Sequence, residues 1–386
     1  MGPTVRAEDR AAAERGAPSA ALTMGVEEEF LLVDPATGAT VARAGPVLRR
    51  ARASRGVAAA RFSAELTAAQ VESVTGVHTS LDALCAELAD GRARLAAAAA
   101  AEGALPIATG TPVAPAPDAP FTEGERFTAI ADLYEQVVRG YESCGCHVHV
   151  GVPDLDHAVA VTDHLRPWLP TLLAVSANSP SDRGRDTGYQ SWRMLEQARF
   201  PGSGVPPRFG SAAAYRARLE RLVECGVLVD EAMTFWLARP SSRFPTVEVR
   251  AADTAAAPAD AVLQAALTRA LVRTALDDLA AGREAPAADD QVCAAAVWSA
   301  ARYGLAGPAV HPVREQRVPA RDLLDELLDH VRDALEDAGD DAAVRTLVGR
   351  LDREGTGADR QRRAAARGLP ALLDTIAAHP LQGGDP

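Results

Sequence analysis

Glu27 and Glu29 stand two residues apart in the run Met24-Gly25-Val26-Glu27-Glu28-Glu29-Phe30-Leu31-Leu32-Val33. On an extended strand they share one face, about 7 Å apart, while Glu28 points to the other. Two carboxylates so placed, with no basic residue between them, repel unless a cation sits there, and a divalent metal is the obvious cation. An acidic strand face turned to water is the ordinary alternative.

The pattern recurs. In Cys144-Gly145-Cys146-His147-Val148-His149-Val150-Gly151 the two histidines share a strand face and the cysteines fall with the valines. In Thr246-Val247-Glu248-Val249-Arg250 the threonine, glutamate and arginine share one face. Glu65 and Glu72 add two carboxylates from a fourth region. Together these stretches predict one antiparallel sheet with an acidic, metal-binding face. Carboxylates in excess, with an imidazole and no thiolate, favour Mg²⁺ or Mn²⁺ over zinc. Four or five carboxylates exceed the needs of one Mg²⁺, so two or three ions bridged by phosphate oxygens fit better. Arg250 suits a phosphate clamp, with a cross-strand ion pair as its alternative. Arg185 and Arg193, in the arginine-bearing stretch 177–193, are candidates for a second cationic contact to a nucleotide. Glycine-rich phosphate loops are absent, so a nucleotide must be held through metals and arginine.

The elements that position these residues follow from local pattern. Asp34-Pro35-Ala36-Thr37-Gly38 is a turn, predicting a hairpin between Leu31–Val33 and Ala39–Ala42. A bend near Thr67–Ala69 should separate Glu65 from a strand carrying Gln70, Glu72 and Val74. Leu81, Leu84, Cys85, Leu88 and Leu95 recur at helical spacing behind Ser80, with Cys85 expected to be buried. Residues 106–125 hold five prolines and two glycines and must be loop. A second amphipathic helix runs from Phe127 to about Gly140. Leu155 to Ser176 is helical and interrupted by Pro167 and Pro170. Ser211 caps a helix ending at Gly226, and Val227 to Ala238 reads as β-rich. Beyond Pro258 the chain is helical: one helix to Gly282, one from Ala320 to Ala338, and two more toward Ala378.

The chain has 386 residues, 40 basic against 52 acidic, and a net charge of −12. With no long basic run, nucleic acid is excluded as a partner. Five cysteines at 85, 144, 146, 225 and 293 show no C-x-x-C spacing and suit a reducing cytoplasm. No stretch is long and apolar enough to span a membrane. Residues 1–20 read as a disordered tail and 21–386 as a single catalytic domain, its sheet within 22–255 and a helical scaffold over 256–386. Exposed edges of a curved sheet make a homodimer plausible.

The chain resembles the carboxylate–amine ligases of the glutamate–cysteine ligase type 2 group, the YbdK-like proteins. The resemblance rests on Gly25-Val26-Glu27-Glu28-Glu29, the Glu65/Glu72 segment, His147-Val148-His149-Val150-Gly151, Ser176-Ala177-Asn178-Ser179-Pro180, Asp186-Thr187-Gly188, Arg239-Pro240-Ser241, Thr246-Val247-Glu248-Val249-Arg250 and Arg302-Tyr303-Gly304-Leu305. It implies an α+β fold, a curved antiparallel sheet of the glutamine-synthetase-like catalytic type with helices on its outer face. It also implies metal positions at Glu27, Glu29, Glu65, Glu72, His149 and Glu248, with Arg250 on the γ-phosphate of ATP. One departure stands out: Gly110-Thr111-Pro112-Val113 replaces the Gly-Thr-His-Pro of related chains, so a histidine is missing there.

The expected function is therefore ATP-dependent ligation of a carboxylate, the γ-carboxylate of glutamate, to cysteine or another amine through an acyl phosphate. Glu27, Glu248 and Arg250 are the residues expected to carry catalysis. A metal-dependent hydrolase using the same cluster, and a relative that binds metal or nucleotide without turnover, are the alternatives.

Overall fold

Ten residues of alternating character, Met24–Val33, form the strand β1 at the middle of a seven-stranded sheet. The computed structural model describes residues 22–54, 56 and 60–378; the tail expected over residues 1–20 lies outside them. The other strands are β2 (Arg61–Ala64), β3 (Gln70–Val74), β4 (Leu105–Ile107), β5 (Gly145–Gly151), β6 (Ala238–Pro240) and β7 (Thr246–Asp253). Their order is β6-β7-β5-β1-β3-β2, with β4 also on β1, and every pairing is antiparallel. The sheet is not closed. The bend expected near Thr67–Ala69 separates β2 from β3.

Register is what turns separate motifs into one site. Glu29 pairs with Glu72, and Glu72 with Ser63. Glu27 pairs with His147, His149 with Glu248, and Glu248 with Arg239. The β7–β5 register shifts between Val249 and Ala252, so the ladder is irregular where Arg250 sits.

Val26, Val148, Val150, Val247 and Val249 cover the opposite sheet face and join one large apolar cluster with helices α1 (Leu81–Ala100), α2 (Leu155–Leu165), α3 (Leu169–Ser176) and α4 (Pro258–Ala280). The Ser80 hydroxyl accepts from Ala83 N and caps α1. Pro167 lies in the break between α2 and α3, and Pro170 falls in the first turn of α3, where its missing N–H costs nothing. Glu28, on this buried face, is fully enclosed and paired with Arg92, which α1 supplies.

Several local expectations change. The return arm of the first hairpin shrinks to a bridge between Val33 and Thr40, because the chain enters a helix at Ala44. Val227 to Ala238 is not a continuous strand: Val227, Leu228 and Val229 spend their apolar surface on the cluster around Ile130 and Tyr134, leaving only Phe235–Trp236 and β6 extended. The expected helix over Ala320–Ala338 breaks at Val331 into Ala320–His330 and Arg332–Ala338. Three helices, not two, follow it, divided at Gly355 and Gly368, whose φ angles of 74° and 102° only glycine adopts without strain. Cys85 is half-buried on α1, not enclosed.

Glu142 precedes β5 in a wholly buried position, accepting from Thr40 Oγ1 at 3.3 Å with Arg183 3.7 Å away. Burial outweighs the arginine and raises its carboxyl from the ordinary 4.5 to about 7. A raised folded-state value means a stability contribution that is complete below pH 4.5 and lost as pH rises through 7. Glu142→Gln should therefore raise Tm by about 1–3 °C at pH 8 and by less at pH 5, checked by thermal denaturation at both.

Candidate active site

The acidic face of the sheet opens into a cavity of about 370 Å³ lined by Glu27, Glu29, Glu65, Glu72, His147, His149, Glu248 and Arg250, all of them legible as one face in the sequence. His147 is at its centre. Its ring lies 3.4 Å from Glu27 through Nδ1, 3.7 Å from Glu29 through Nε2, 4.0 Å from Glu248 and 3.3 Å from Arg250 Nη1. Burial and then the Arg250 charge lower its pKa, favouring the neutral imidazole that a metal needs. Its Nε2 makes no hydrogen bond among the described residues. His149 stands 3.3 Å from Glu27, with Nδ1 3.0 Å from Thr246 Oγ1.

Burial alone would raise the Glu27 carboxyl, but hydrogen bonds from His147 and His149 overcome it and hold the group well below the usual carboxylate range. Glu29 accepts from Gly145 N at 2.6 Å. Glu72 accepts from Ser63 Oγ, yet burial followed by the Glu27 charge pushes it up to about 8. Glu65 is raised as well, by burial and then by Glu29 and Glu72. Burial first, and negative neighbours second, disfavour the ionised form of both groups, and a cation among them would reverse that balance.

Donor atoms of Glu27, His147 and Glu248 converge within 4.8 Å of one another, and so do those of Glu29, Glu72 and His147. Oxygen-rich sets sharing one imidazole fit Mg²⁺ or Mn²⁺. The resemblance names His149 as a ligand, whereas both converging donor sets contain His147; the two histidines share one strand face, with His147 opposite Glu27 and His149 opposite Glu248.

Glu248 is held below the usual range because Arg239 and Arg250 outweigh its burial. Arg239 Nε donates to Oε2 at 2.9 Å and Nη2 to Oε1 at 3.3 Å, while Arg250 Nη1 also donates to Oε1. Arg239 Nη1 is spent on the Ala232 and Thr234 carbonyls, so this guanidinium is a fixed support. It was legible as a motif residue, but its partner required the register. Arg250 keeps Nε without a hydrogen-bond partner among the described residues and is free to turn that edge to an anion.

Arg185 and Arg193 do not line the cavity. Arg185 is exposed on a two-residue strand paired with Ser181–Asp182. Arg193 is 1% exposed, with Nη1 3.8 Å from Asp253 and Nη2 donating to the Arg250 carbonyl at 3.2 Å. It packs over Gly145 on the face that carries His147: a Cβ on Gly145 would stand 2.4 Å from its Nη2 and 3.0 Å from His147 Nε2, and its contact with the Arg250 carbonyl braces that residue's backbone. Thr111 and Pro112 are buried away from the cavity, and Thr111 Oγ1 donates to Ser181 O at 2.6 Å. The absent histidine of this segment therefore leaves the carboxylate cluster untouched.

A model of the family described as glutamate-cysteine ligase family 2 matches residues 23–378. The chain belongs to glutamate–cysteine ligase family 2. With that membership comes the class of ATP-dependent carbon–nitrogen ligase. The chain is 53% identical over 360 residues to "Putative glutamate--cysteine ligase 2-2" of Saccharopolyspora erythraea, covering 93% of this chain and 92% of that one. It is 45% identical over 366 residues to "Putative glutamate--cysteine ligase 2-1" of Nocardia farcinica, covering 94% of each. Among solved structures it is similar to a glutamate–cysteine ligase from Francisella tularensis in complex with AMP, with TM-score 0.67, 14% identity and coverage of 93% and 88%. It is also similar to a bifunctional glutathione synthetase from Pasteurella multocida, with TM-score 0.65, 15% identity, and coverage of 92% of this chain and 51% of that one. At such identities these two likenesses establish the fold. No helix among the described residues is long and apolar enough to cross a membrane.

Proposed function

We propose that this chain joins the γ-carboxylate of glutamate to an amine, converting ATP to ADP and phosphate through a γ-glutamyl phosphate. The observation that carries this reading is the convergence of Glu27, Glu29, Glu72 and Glu248 on His147 with Arg250 alongside, an oxygen-rich cradle next to a cation. Two or three Mg²⁺ or Mn²⁺ ions bound there would neutralise the β- and γ-phosphates. Glu27, Glu29, Glu72, Glu248 and His147 are the residues placed to hold them, with Glu65 and His149 lining the same cavity.

The protein's own groups do the positioning. Arg250, whose carbonyl accepts from Arg193 Nη2, offers N–H groups to the transferring phosphoryl group. Arg239 fixes Glu248 bidentately, so the carboxylate cannot follow Arg250 when that side chain turns to phosphate. A γ-carboxylate oxygen attacks the terminal phosphorus and ADP leaves; the amine nitrogen then attacks the carbonyl carbon and phosphate leaves. Neither step needs a protein nucleophile, and positioning with electrostatics suffices.

The experiment is ADP release by purified protein with ATP, Mg²⁺ and glutamate, with hydroxylamine trapping the acyl phosphate as a hydroxamate. Glutamate-dependent ADP and hydroxamate, both abolished by EDTA and restored by Mg²⁺, are expected. Turnover of amide substrates without ATP would favour the metal-dependent hydrolase instead, and nucleotide binding with no ADP from any substrate pair would favour a non-catalytic relative.

A further inference from the structure

One end of the cavity differs in chemistry from the carboxylate cluster. Phe127, Ile130, Met233 and Phe235 line it with apolar and aromatic surface. Two polar residues of the same cavity keep an unpartnered oxygen: Ser143 Oγ and Gln197 Oε1, each on a residue only 5% exposed, lack a hydrogen-bond partner among the described residues, although the Gln197 side chain also hydrogen-bonds Tyr141. Buried polar atoms left this way are costly unless a ligand satisfies them. Both can accept from N–H groups, and Tyr141, which hydrogen-bonds Gln197, lines the same cavity as the carboxylate cluster.

From this juxtaposition we infer the acceptor subsite: a primary amine whose nitrogen meets Ser143 Oγ and Gln197 Oε1 and whose apolar or aromatic substituent lies on the Phe127–Phe235 wall. The inference rests on the ligase reading above and names its acceptor class. The wall cannot pair the charged α-groups of glutamate, so glutamate is not its occupant. Nor does the arginine that touches Met233 offer a free guanidinium to an acceptor carboxylate. Arg126, whose Nη2 is 3.9 Å from Met233 Sδ, is already held bidentately by Asp230 at 2.6 and 3.2 Å. In the second step the nitrogen lone pair forms the C–N bond, the carbon–oxygen bond to phosphate breaks with its electron pair, and the departing phosphate takes the nitrogen's proton.

The test measures kcat/KM of the full chain with ATP, Mg²⁺ and glutamate for phenethylamine, ethylamine and cysteine, with hydroxylamine capture run in parallel. Phenethylamine should exceed both ethylamine and cysteine by about tenfold or more, the discrimination a few methylenes earn in an apolar pocket. Phe127→Ala, at a half-buried position, should shrink the phenethylamine-to-ethylamine ratio about fivefold or more. Hydroxamate formation with equal or better use of cysteine or ethylamine overturns the acceptor class while leaving the ligase reading standing. Absence of both hydroxamate and ADP removes the ligase reading and this inference with it.

Discussion

Glu248→Gln should lower glutamate-dependent ADP release on the order of 10²–10³-fold, the scale on which removal of one preorganised electrostatic group acts. The carboxylate is 4% exposed, receives both Arg239 and Arg250, and belongs to one of the two cation cradles. Glutamine keeps the size and one acceptor oxygen but removes the charge that balances two partly buried guanidiniums, so the cradle loses affinity for a divalent ion and Arg250 loses its resting partner. Glu27→Gln should act in the same direction, because Glu27 is the carboxylate that both imidazoles keep ionised. The check is steady-state ADP release over a Mg²⁺ titration, with near-UV circular dichroism to show that the fold persists. Unchanged turnover in both variants would mean that the chemistry lies elsewhere.

The largest expected effect on stability comes from the opposite sheet face. Arg92→Met should cost about 3–5 kcal/mol, because it strands the Glu28 carboxylate in the core. Both side chains are 0% exposed; Arg92 Nε donates to Glu28 at 3.0 Å and Nη2 to the Ala255 carbonyl at 2.7 Å, and the guanidinium carbon lies 5.3 Å from the Phe30 ring. The pair ties β1 to α1 and to the segment that follows β7, so it sets the height of the acidic strand under the site. Glu28→Leu combined with Arg92→Met removes both charges and should recover most of the loss, since an apolar pair of similar volume often equals a buried ion pair. Urea denaturation of the two variants and the parent decides it; a double variant as unstable as the single one would show that the Ala255 contact, not the charge pair, matters most.

Much of this site could be read from residue types at period two. His147/His149 and Glu248/Arg250 alternate with valines, and Glu27/Glu29 flank Glu28, so period two assigns faces without knowing partners. Glu28 could be set apart for the same reason, although nothing local revealed that Arg92, 64 residues away, would pair with it. What stayed hidden was register. His147 becomes the centre of the cluster because β1 and β5 align Glu27 with it, and Arg239 becomes the support of Glu248 because β6 and β7 align those two. Charge in a loop points to Arg185 and Arg193 as nucleotide contacts, but charge does not say which way a loop folds: Arg185 is exposed, and Arg193 is buried against Gly145 beside His147 without lining the cavity. Likewise Val227–Val229 have strand-forming side chains, and their packing against Tyr134 and its neighbours overrode that propensity.

The central claim is that glutamate's γ-carboxylate is phosphorylated before the amine attacks. Glutamate carrying ¹⁸O in that carboxylate, incubated with ATP, Mg²⁺ and an amine acceptor, tests it through the mass of the phosphate released. Transfer of one labelled oxygen into each inorganic phosphate is the predicted result, because the carboxylate oxygen that attacks phosphorus leaves with it when the C–N bond forms. Unlabelled phosphate accompanying ADP would contradict the mechanism.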